Sequence, residues 1–267
     1  MKYTGLLGNN ISYSKSPDIH NKYYYENNIP LRYKIFDIKE EELPYFIKNL
    51  YKKNIVGFNV TIPYKTKILE YIEKLEHPAD KIGAVNTVVA LKNKLIGFNT
   101  DYYGFIESLK IRNIELKEKN SLIIGNGGSA LCIYYALMDI GCKNIDVLCR
   151  NKYKNKEKFR KIRYFHNFHN DIEYEQYDII INCTPLGGVN YIKSIPIDLE
   201  KVKLKKDVLI YDLNYKPQET LFISQGKKMG ITCINGEDML KFQAYKSIDI
   251  WKIYMLNGED KKVGKFK

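Results

Sequence analysis

The sequence at positions 121–130 is SLIIGNGGSA, and this stretch decides the class of fold. Three apolar residues run into Gly125, and the pattern Gly-x-Gly-x-x-Ala then leads into an apolar segment that ends at Gly141. In such a turn the first glycine permits the tight bend, the second lets the backbone approach a pyrophosphate, and a small third residue lets the helix pack closely. The phosphate would lie on free N–H groups at the helix N-terminus. The stretch therefore predicts a dinucleotide-binding βαβ unit, with contacts from Gly125, Asn126, Gly127, Gly128 and Ser129.

The segment after the next apolar strand indicates which dinucleotide is bound. NAD enzymes usually carry an acidic residue about 20 residues beyond the turn, where it holds the ribose 2′-hydroxyl. This chain instead has Arg150 after the strand predicted at 145–148, followed by Asn151 and Lys154. A guanidinium pairs with a 2′-phosphate through charge-assisted hydrogen bonds, whereas a carboxylate would repel it. We therefore predict NADP as the cofactor, bound in part by these three residues.

Apolar runs on both sides of this unit extend the pattern of alternating strands and helices. Upstream, a hairpin at 84–91 and 94–98 is predicted to form an antiparallel edge, and spaced apolar residues predict an amphipathic helix over 39–52. The other predicted strands lie at 3–8, 33–38, 56–62, 122–124, 178–181, 208–211 and 231–234, and the other helices begin at Ser16 or span 128–140, 218–229 and 237–255.

This order of elements predicts an α/β protein of two lobes. The first is an N-terminal α/β substrate-binding lobe with a mostly parallel sheet, and the second is a Rossmann lobe that binds NADP. The C-terminal helix is expected to pack back on the first lobe. We place the substrate-binding catalytic domain at residues 1–101 plus 237–267, and the NADP-binding domain at residues 102–236.

Composition excludes several classes of protein. No apolar run approaches the roughly 18 residues that span a bilayer, and residues 1–10 do not resemble a signal peptide, so we expect no membrane association and a cytoplasmic location. The five cysteines form no CxxC pair, which argues against a disulfide framework or a zinc site. His166 and His169 are three residues apart but lack a third ligand nearby, so we predict no metal.

The formal net charge of +12 raises nucleic-acid binding as an alternative, because clustered lysine and arginine neutralise phosphates. The charge is densest between Arg150 and Arg163. Such a run is usually a solvated surface, and part of it is explained by a cofactor that carries an extra phosphate. We therefore predict a small-molecule substrate and no nucleic-acid partner.

Two strand ends carry residues suited to proton transfer. Lys65 lies just beyond the strand that stops at Pro63, and Asp101 follows the strand that ends near Phe98. An ammonium beside a carboxylate can give or take the proton of a hydroxyl whose carbon exchanges a hydride, while the carboxylate holds the amine in place. Asp101 could equally be the N-cap of the following helix.

With these motifs in view, the chain resembles the shikimate dehydrogenase family nearly end to end. The match does not depend on a single motif, because seven segments occur in the order expected. They are ISYSKSPDIHN (11–21), NVTIPYK (59–65), GAVNT (83–87), NTDYYG (99–104), NCTPLG (182–187), DLNYKP (212–217) and GEDMLKFQA (236–244).

The resemblance implies a role for residues that are uninformative alone. The hydroxyls of Ser14 and Ser16 would bind the shikimate carboxylate, which agrees with two short donors near a helix N-terminus. Lys65 and Asp101 would form the catalytic pair. Other substrate contacts would come from Thr61, Asn86, Tyr215 and Gln243, and further cofactor contacts from Thr184, Leu213 and Gly236. Two positions depart from the family pattern: Gly188 stands where methionine is common, and Cys149 where asparagine is common.

The implied activity is reversible, NADP-dependent reduction of 3-dehydroshikimate to shikimate, a step of chorismate and aromatic amino-acid biosynthesis. Three alternatives stay open at this point: a related enzyme that prefers quinate, a nucleic-acid-binding protein that uses the basic segment, and a catalytically silent sensor. Ser14 and Ser16 argue against quinate, and the presence of both Lys65 and Asp101 argues against the sensor. The sequence leaves open whether the protein is a monomer or a homodimer.

Overall fold

Two six-stranded sheets, each in its own unit, organise the chain. The structure, a computed structural model, describes residues 1–61, 63–92, 94–151, 153 and 155–257. The first unit comprises Met1–Gly104 together with the described part of Lys241–Lys267, and the second comprises Phe105–Leu240. The predicted α/β class is confirmed.

The sheet of the first unit is mixed. Its strands are β1 (Lys2–Gly8), β2 (Leu31–Asp37), β3 (Gly57–Val60), β4 (Lys74–Leu75), β5 (Thr87–Leu91) and β6 (Lys94–Phe98), in the order β2-β1-β3-β5-β6-β4. Strand β1 is parallel to β2 and β3, while β5 is antiparallel to β3 and β6. The predicted hairpin is therefore correct, but it does not form the edge, because β4 pairs with the outer side of β6.

The helices that begin in this part of the chain are α1 (Ser16–Glu26), α2 (Leu43–Lys48), α3 (Ala79–Ile82) and α4 (Asp101–Lys110). The helix predicted over 39–52 was too long, since α2 has six residues and follows a 3₁₀ turn at Glu40–Glu42. Pro44 explains the late start, because proline is tolerated only in the first turn of an α-helix. The apolar face was predicted correctly: Leu43, Phe46 and Leu50 are buried in the core.

The last helix, α7 (Glu237–Asn257), packs on the first unit as predicted. Its Trp251 side chain is 1% exposed and donates a hydrogen bond from Nε1 to the carbonyl of Val88 in β5 (2.9 Å). Gly57 makes this contact possible, since a Cβ at that position would lie 2.8 Å from the same carbonyl oxygen and overlap the indole. A glycine in β3 thus lets the only tryptophan of the chain cross the sheet closely.

The second unit has a parallel sheet with Rossmann topology. Its strands are β7 (Asn120–Ile124), β8 (Asn144–Leu148), β9 (Phe165–His166), β10 (Ile179–Asn182), β11 (Leu209–Asp212) and β12 (Thr232–Asn235), and its helices include α5 (Gly128–Ile140) and α6 (Leu221–Lys228). The order is β12-β11-β10-β7-β8-β9. It reverses at β7, and such a switch point is where doubly wound sheets bind ligands.

Strand β9 lies in a segment for which the sequence predicts no strand. Phe165 and His166 pair with the end of β8. The buried Asp146 carboxylate holds this segment, since it accepts hydrogen bonds from the Arg163 guanidinium (3.1 and 2.6 Å) and from the Tyr164 backbone (3.0 Å). A two-residue strand held by a distant carboxylate has no periodic signal in the sequence.

His20 is a polar residue buried among aromatic rings. Its ring is fully buried, stacks on Tyr33 at a centroid distance of 4.0 Å, and lies 5.6 Å from the Trp251 ring. Neither ring nitrogen has a hydrogen-bond partner among the described residues. Burial lowers the pKa of His20 from 6.5 to about 3, because the charged form would lose its hydration.

This burial makes the first unit sensitive to acid. Below pH 6.5 the unfolded chain protonates His20 while the folded chain does not until about pH 3, so the unfolded state binds more protons and stability falls through this window. We expect His20 alone to remove about 2 kcal/mol between pH 8 and pH 5. Urea unfolding followed by Trp251 fluorescence measures this. The His20→Phe variant should lose this part of the pH dependence, and the exposed His77→Gln should keep it; equal pH profiles for wild type and His20→Phe would contradict the prediction.

Candidate active site

Lys65 and Asp101 meet at one edge of the first sheet. Strands β3 and β6 run in the same direction because each is antiparallel to β5, so the segments that follow them emerge at the same edge. Lys65 follows β3, and Asp101 is the first residue of α4 after β6. The Lys65 Nζ donates to Asp101 Oδ2, and the two side chains are only 19% and 14% exposed. The carboxylate is thus engaged with the lysine.

The loop after β1 lies at the same edge and carries the two serines. Ser14 Oγ donates to Ser16 Oγ (3.1 Å), and the Ser16 backbone N–H donates to Ser14 Oγ (3.2 Å). The helix begins at Ser16, as the sequence predicts: Lys15 occupies the N-cap and makes no side-chain cap bond, while Ser16 is the first helical residue. The pair therefore places two hydroxyls at a helix N-terminus that attracts a small anion.

Asp37 shapes this loop and was missed by the sequence analysis. Its two carboxylate oxygens accept hydrogen bonds from the backbone N–H groups of Asn10 (2.8 Å) and Ile11 (3.1 Å). Since β2 is parallel to β1, its last residue reaches the same edge of the sheet. An aspartate at the end of a strand is a weak signal by itself, because turn residues of this type are common.

Asn86 and Gln243 come together through Thr100. Asn86 precedes β5 and is 3% exposed, while Gln243 lies on α7 and is 7% exposed. The Thr100 backbone N–H donates to Asn86 Oδ1 (2.7 Å), and the Thr100 hydroxyl donates to Gln243 Oε1 (3.4 Å). Thr61 is half-buried beyond β3, where its N–H donates to the carbonyl of Leu7. The first unit therefore gathers most of the predicted substrate contacts at one sheet edge.

The glycine-rich turn of the second unit fits a dinucleotide. Gly125 has a φ of +108°, a backbone conformation that residues other than glycine rarely adopt. Gly127 is the N-cap of α5. A Cβ at Gly127 would meet no protein atom within 4 Å, so open space lies above this residue. Gly128 and Ser129 open the helix, and the buried Ala130 packs it on the sheet. The turn thus offers N–H groups to a phosphate that approaches the backbone closely.

The loop after β8 is tied to this turn. Asn126 Nδ2 donates to the carbonyl of Asn151 (2.7 Å), and Asn155 Nδ2 donates to the carbonyl of Asn126 (2.9 Å). Arg150 is exposed at the end of β8, so its guanidinium is available to an anionic ligand. Lys154, which we predicted as a further contact, lies outside the described residues.

Two further loops surround a buried carboxylate at the ends of β10 and β11. Asp212 accepts from Asn182 Nδ2 (2.9 Å), from the Asn214 backbone N–H (3.0 Å) and from the Thr220 hydroxyl (2.6 Å). Burial raises the pKa of Asp212 above its ordinary value, against the opposing effect of these hydrogen bonds. Asn182 Oδ1 in turn accepts from the backbone and the hydroxyl of Thr184.

The predicted contacts Leu213 and Gly236 lie against each other beside this carboxylate. The Leu213 N–H donates to the carbonyl of Asn182 (3.0 Å), and the Gly236 N–H donates to the carbonyl of Asn214 (3.1 Å). Tyr215 is half-buried in the same loop of the second unit. The ends of β10, β11 and β12 thus converge on one set of loops, as parallel strands require.

Comparisons with known proteins agree with this geometry. Residues 6–88 match the family model described as the shikimate dehydrogenase substrate binding domain. A shikimate dehydrogenase (NADP(+)) from Clostridium botulinum (strain Loch Maree / Type A3) is 51% identical over 97% of this chain and 99% of its own length. The chain belongs to the shikimate dehydrogenase family.

Solved structures of the family have the same fold. Shikimate dehydrogenase 1 from Peptoclostridium difficile is 33% identical with a TM-score of 0.84, covering 94% of this chain and 92% of that one. The enzyme from Thermus thermophilus, solved in complex with NADP(H) and shikimate, is 28% identical with a TM-score of 0.84, covering 94% and 93%. Both likenesses extend over nearly the whole of each chain.

The structure explains one of the two departures from the family pattern. At Gly188 a Cβ would lie 2.5 Å from Asn214 Oδ1 and 3.1 Å from the carbonyl oxygen of Pro185, so the Asn214 side chain occupies the space that a larger residue would need. In that position Asn214 Nδ2 donates hydrogen bonds to the carbonyls of Thr184 and Leu186 (3.1 Å each). Cys149 is 2% exposed, and burial raises the pKa of its thiol. Nothing in the structure explains why it replaces asparagine.

Among the residues that the structure describes, no group of three or more histidine, cysteine, aspartate or glutamate side chains is arranged to hold a metal ion. None of the described helices combines the length and the apolar character that crossing a membrane demands.

Proposed function

We propose that this chain catalyses the NADP-dependent interconversion of 3-dehydroshikimate and shikimate. The observation that carries the proposal is the contact between Lys65 Nζ and Asp101 Oδ2, at a sheet edge where hydroxyl and amide donors gather. A paired ammonium and carboxylate suit a reaction that moves a proton on and off an alcohol oxygen. The names of the relatives, at up to 51% identity over 258 residues, support the same reaction.

Each side of the substrate then has a partner in the first unit. Ser14 and Ser16 bind the carboxylate, because their hydroxyls lie at the N-terminus of α1. Thr61, Asn86 and Gln243 hold the ring hydroxyls, and Tyr215 stays a substrate contact predicted from the family resemblance. In the direction of reduction, the Lys65 ammonium gives its proton to the carbonyl oxygen as that oxygen becomes a hydroxyl. Asp101 keeps the amine oriented and accepts a hydrogen bond from it.

Two features of the second unit support NADP binding. They are the open space above Gly127 and the backbone N–H groups of the turn. Gly125, Gly128, Ser129 and Asn126 hold the pyrophosphate side, and Thr184, Leu213 and Gly236 the nicotinamide side. Arg150 and Asn151 hold the 2′-phosphate. When bound in its reduced form, NADPH supplies the hydride that adds to the carbonyl carbon. The 2′-phosphate of the nucleotide is enough to explain an arginine at position 150, since a guanidinium pairs well with phosphate.

Location and assembly are predictions from the sequence alone. A cytoplasmic enzyme that meets only small molecules fits the pathway in which shikimate is made. Either a monomer or a homodimer is compatible with a site whose residues all come from one chain.

The absorbance of the nicotinamide tests the proposal directly. Purified protein is mixed with shikimate or quinate and with NADP or NAD, in all four combinations. We expect rapid reduction with shikimate and NADP, and much slower reduction in the other three, because Arg150 favours the 2′-phosphate and the two serines favour shikimate. Greater efficiency with NAD at saturation would contradict the cofactor assignment. Silence in all four would favour a sensor or a nucleic-acid-binding protein.

A further inference from the structure

Ser247 lies one helical turn beyond Gln243 on α7 and is fully buried. Its Oγ contacts three polar side chains that come from distant parts of the chain. Asn59 Nδ2 donates to it (2.9 Å), and the hydroxyls of Thr87 (2.9 Å) and Thr100 (3.0 Å) lie at hydrogen-bond distance. The Ser247 hydroxyl itself donates to the backbone carbonyl of Gln243 (2.9 Å). Three elements of the first unit, β3, β5 and α7, and the segment between β6 and α4 thus meet at one oxygen.

The donors around Ser247 have little freedom. Asn59 is oriented by Tyr33, whose hydroxyl donates to Asn59 Oδ1 (2.7 Å), so the amide nitrogen of Asn59 must face Ser247 and Thr87. Ser247 gives its only proton to the helix carbonyl, so its Oγ acts as an acceptor toward Asn59, whose Nδ2 donates to it. Each threonine has one hydroxyl proton, for which Ser247 Oγ competes with Asn86 Oδ1 at Thr87 and with Gln243 Oε1 at Thr100.

The two threonines that contact Ser247 also hold the side-chain amide of Asn86. Its Oδ1 accepts from the Thr100 backbone N–H (2.7 Å) and from the Thr87 hydroxyl (3.0 Å), while its Nδ2 donates to the Thr100 hydroxyl (3.0 Å). One N–H of this amide has no partner among the described residues, so it is left for a ligand oxygen. Gln243 depends on the same threonine, since its Oε1 accepts from the Thr100 hydroxyl.

We propose that Ser247 is a positioning residue that orients the Asn86 and Gln243 amides toward the substrate hydroxyls. The inference rests on the proposed function for the identity of the substrate. Ser247 does not touch the substrate. It acts through Asn59, Thr87 and Thr100, which its Oγ contacts, and without that oxygen these side chains and both amides can take other orientations. A polar network whose members hold one another in place specifies one arrangement, whereas a network that has lost a member does not.

The Ser247→Ala variant tests this. We expect the KM for shikimate to rise about tenfold, as for the loss of one or two oriented hydrogen bonds, and the KM for NADP to stay within twofold. Discrimination between shikimate and quinate should fall as well. Ser247→Cys keeps a weaker hydrogen-bonding group. Its KM for shikimate should therefore lie between the values for Ser247→Ala and wild type.

Ser108→Ala is the matched control. Ser108 is also fully buried on a helix, donates to a carbonyl of the preceding turn (Phe105, 2.7 Å) and contacts a further hydroxyl (Tyr211, 2.8 Å), but it belongs to the second unit. If Ser247 only stabilised the fold, the two variants would lower the melting temperature similarly and neither would change the KM for shikimate. That result would overturn the proposal.

Direct binding separates this inference from the proposed function. The Kd for shikimate, measured through Trp251 fluorescence, should rise about tenfold in Ser247→Ala even if wild type is silent in the dehydrogenase assay. A silent assay with such a shift would reject the proposed activity and support the role of Ser247. Equal Kd values in an active enzyme would reject the role of Ser247 alone, and no binding of shikimate to wild type would overturn both.

Discussion

Replacing Lys65 with alanine is expected to lower kcat by roughly 10²–10⁴-fold, the range that a positioned general acid or base contributes. The ammonium is the group that contacts Asp101, and both side chains are largely shielded from solvent, so water replaces the proton donor poorly. The KM for shikimate should change little, since the serines and the amides that bind it stay in place. Steady-state kinetics in both directions measure the two constants separately.

A neighbouring lysine provides the control. Lys67 lies two residues further along, forms an ion pair with Glu40, and has a side chain that is 41% exposed. Exposed ion pairs contribute about 0–1 kcal/mol to stability, so Lys67→Ala should keep near-normal kcat and nearly the same melting temperature. Near-normal turnover in Lys65→Ala would refute the role assigned to Lys65, and equal losses in both variants would point to damage to the fold.

Replacing Gly236 with alanine is expected to destabilise the second unit by about 1–3 kcal/mol and to raise the KM for NADP at least roughly tenfold. A Cβ at this position would overlap the carbonyl group of Leu213, 2.7 Å from its carbon and 3.3 Å from its Cα. These are backbone atoms, so the two loops must separate. Because both residues are proposed cofactor contacts, the same movement weakens NADP binding.

Gly127→Ala separates the two effects. The backbone there has φ −84° and ψ −169°, which any residue adopts, and the added Cβ would meet nothing in the protein within 4 Å. This variant should therefore keep the melting temperature of wild type, yet lose NADP affinity, because the methyl group occupies the space proposed for the pyrophosphate. An unchanged KM for NADP in Gly127→Ala would contradict that placement. An unchanged melting temperature in Gly236→Ala would contradict the expected destabilisation of the second unit, because the two loops would then separate without loss of stability.

Local patterns predicted most strands and helices, and they failed where distant residues decide. The helix α5 begins at Gly128 and ends before Gly141, as the glycines indicate, because Gly141 adopts the left-handed conformation with φ +88°. By contrast β4 and β9 have two residues each, too few for any periodicity. The long helix predicted over 39–52 failed because the apolar spacing continues past residues whose backbone is no longer helical.

The candidate site divides in the same way. The glycine-rich turn and Arg150 could be found because their chemistry depends on the conformation of a few consecutive residues. Apart from the family resemblance, Lys65 and Asp101 could be paired only by assuming that two strand ends share an edge, which the antiparallel β5 between them makes true. Ser247 had one signal, its position four residues after Gln243 on the same helix face, and this was not enough to indicate its contacts with Asn59 and the two threonines.

The sequence by itself determined the α/β class, the dinucleotide-binding turn and the family, because glycine conformation, apolar periodicity and short motifs are properties of neighbouring residues. Only the tertiary structure decided which way the amides of Asn59, Asn86 and Gln243 face. Their orientation depends on hydrogen bonds with Tyr33, Thr87, Thr100 and Ser247, and the bond between Asn59 and Ser247 joins residues 188 positions apart in the chain. A hydrogen bond is directional and short-ranged, so such a network exists only once the sheet and α7 have brought these groups within about 3 Å of one another.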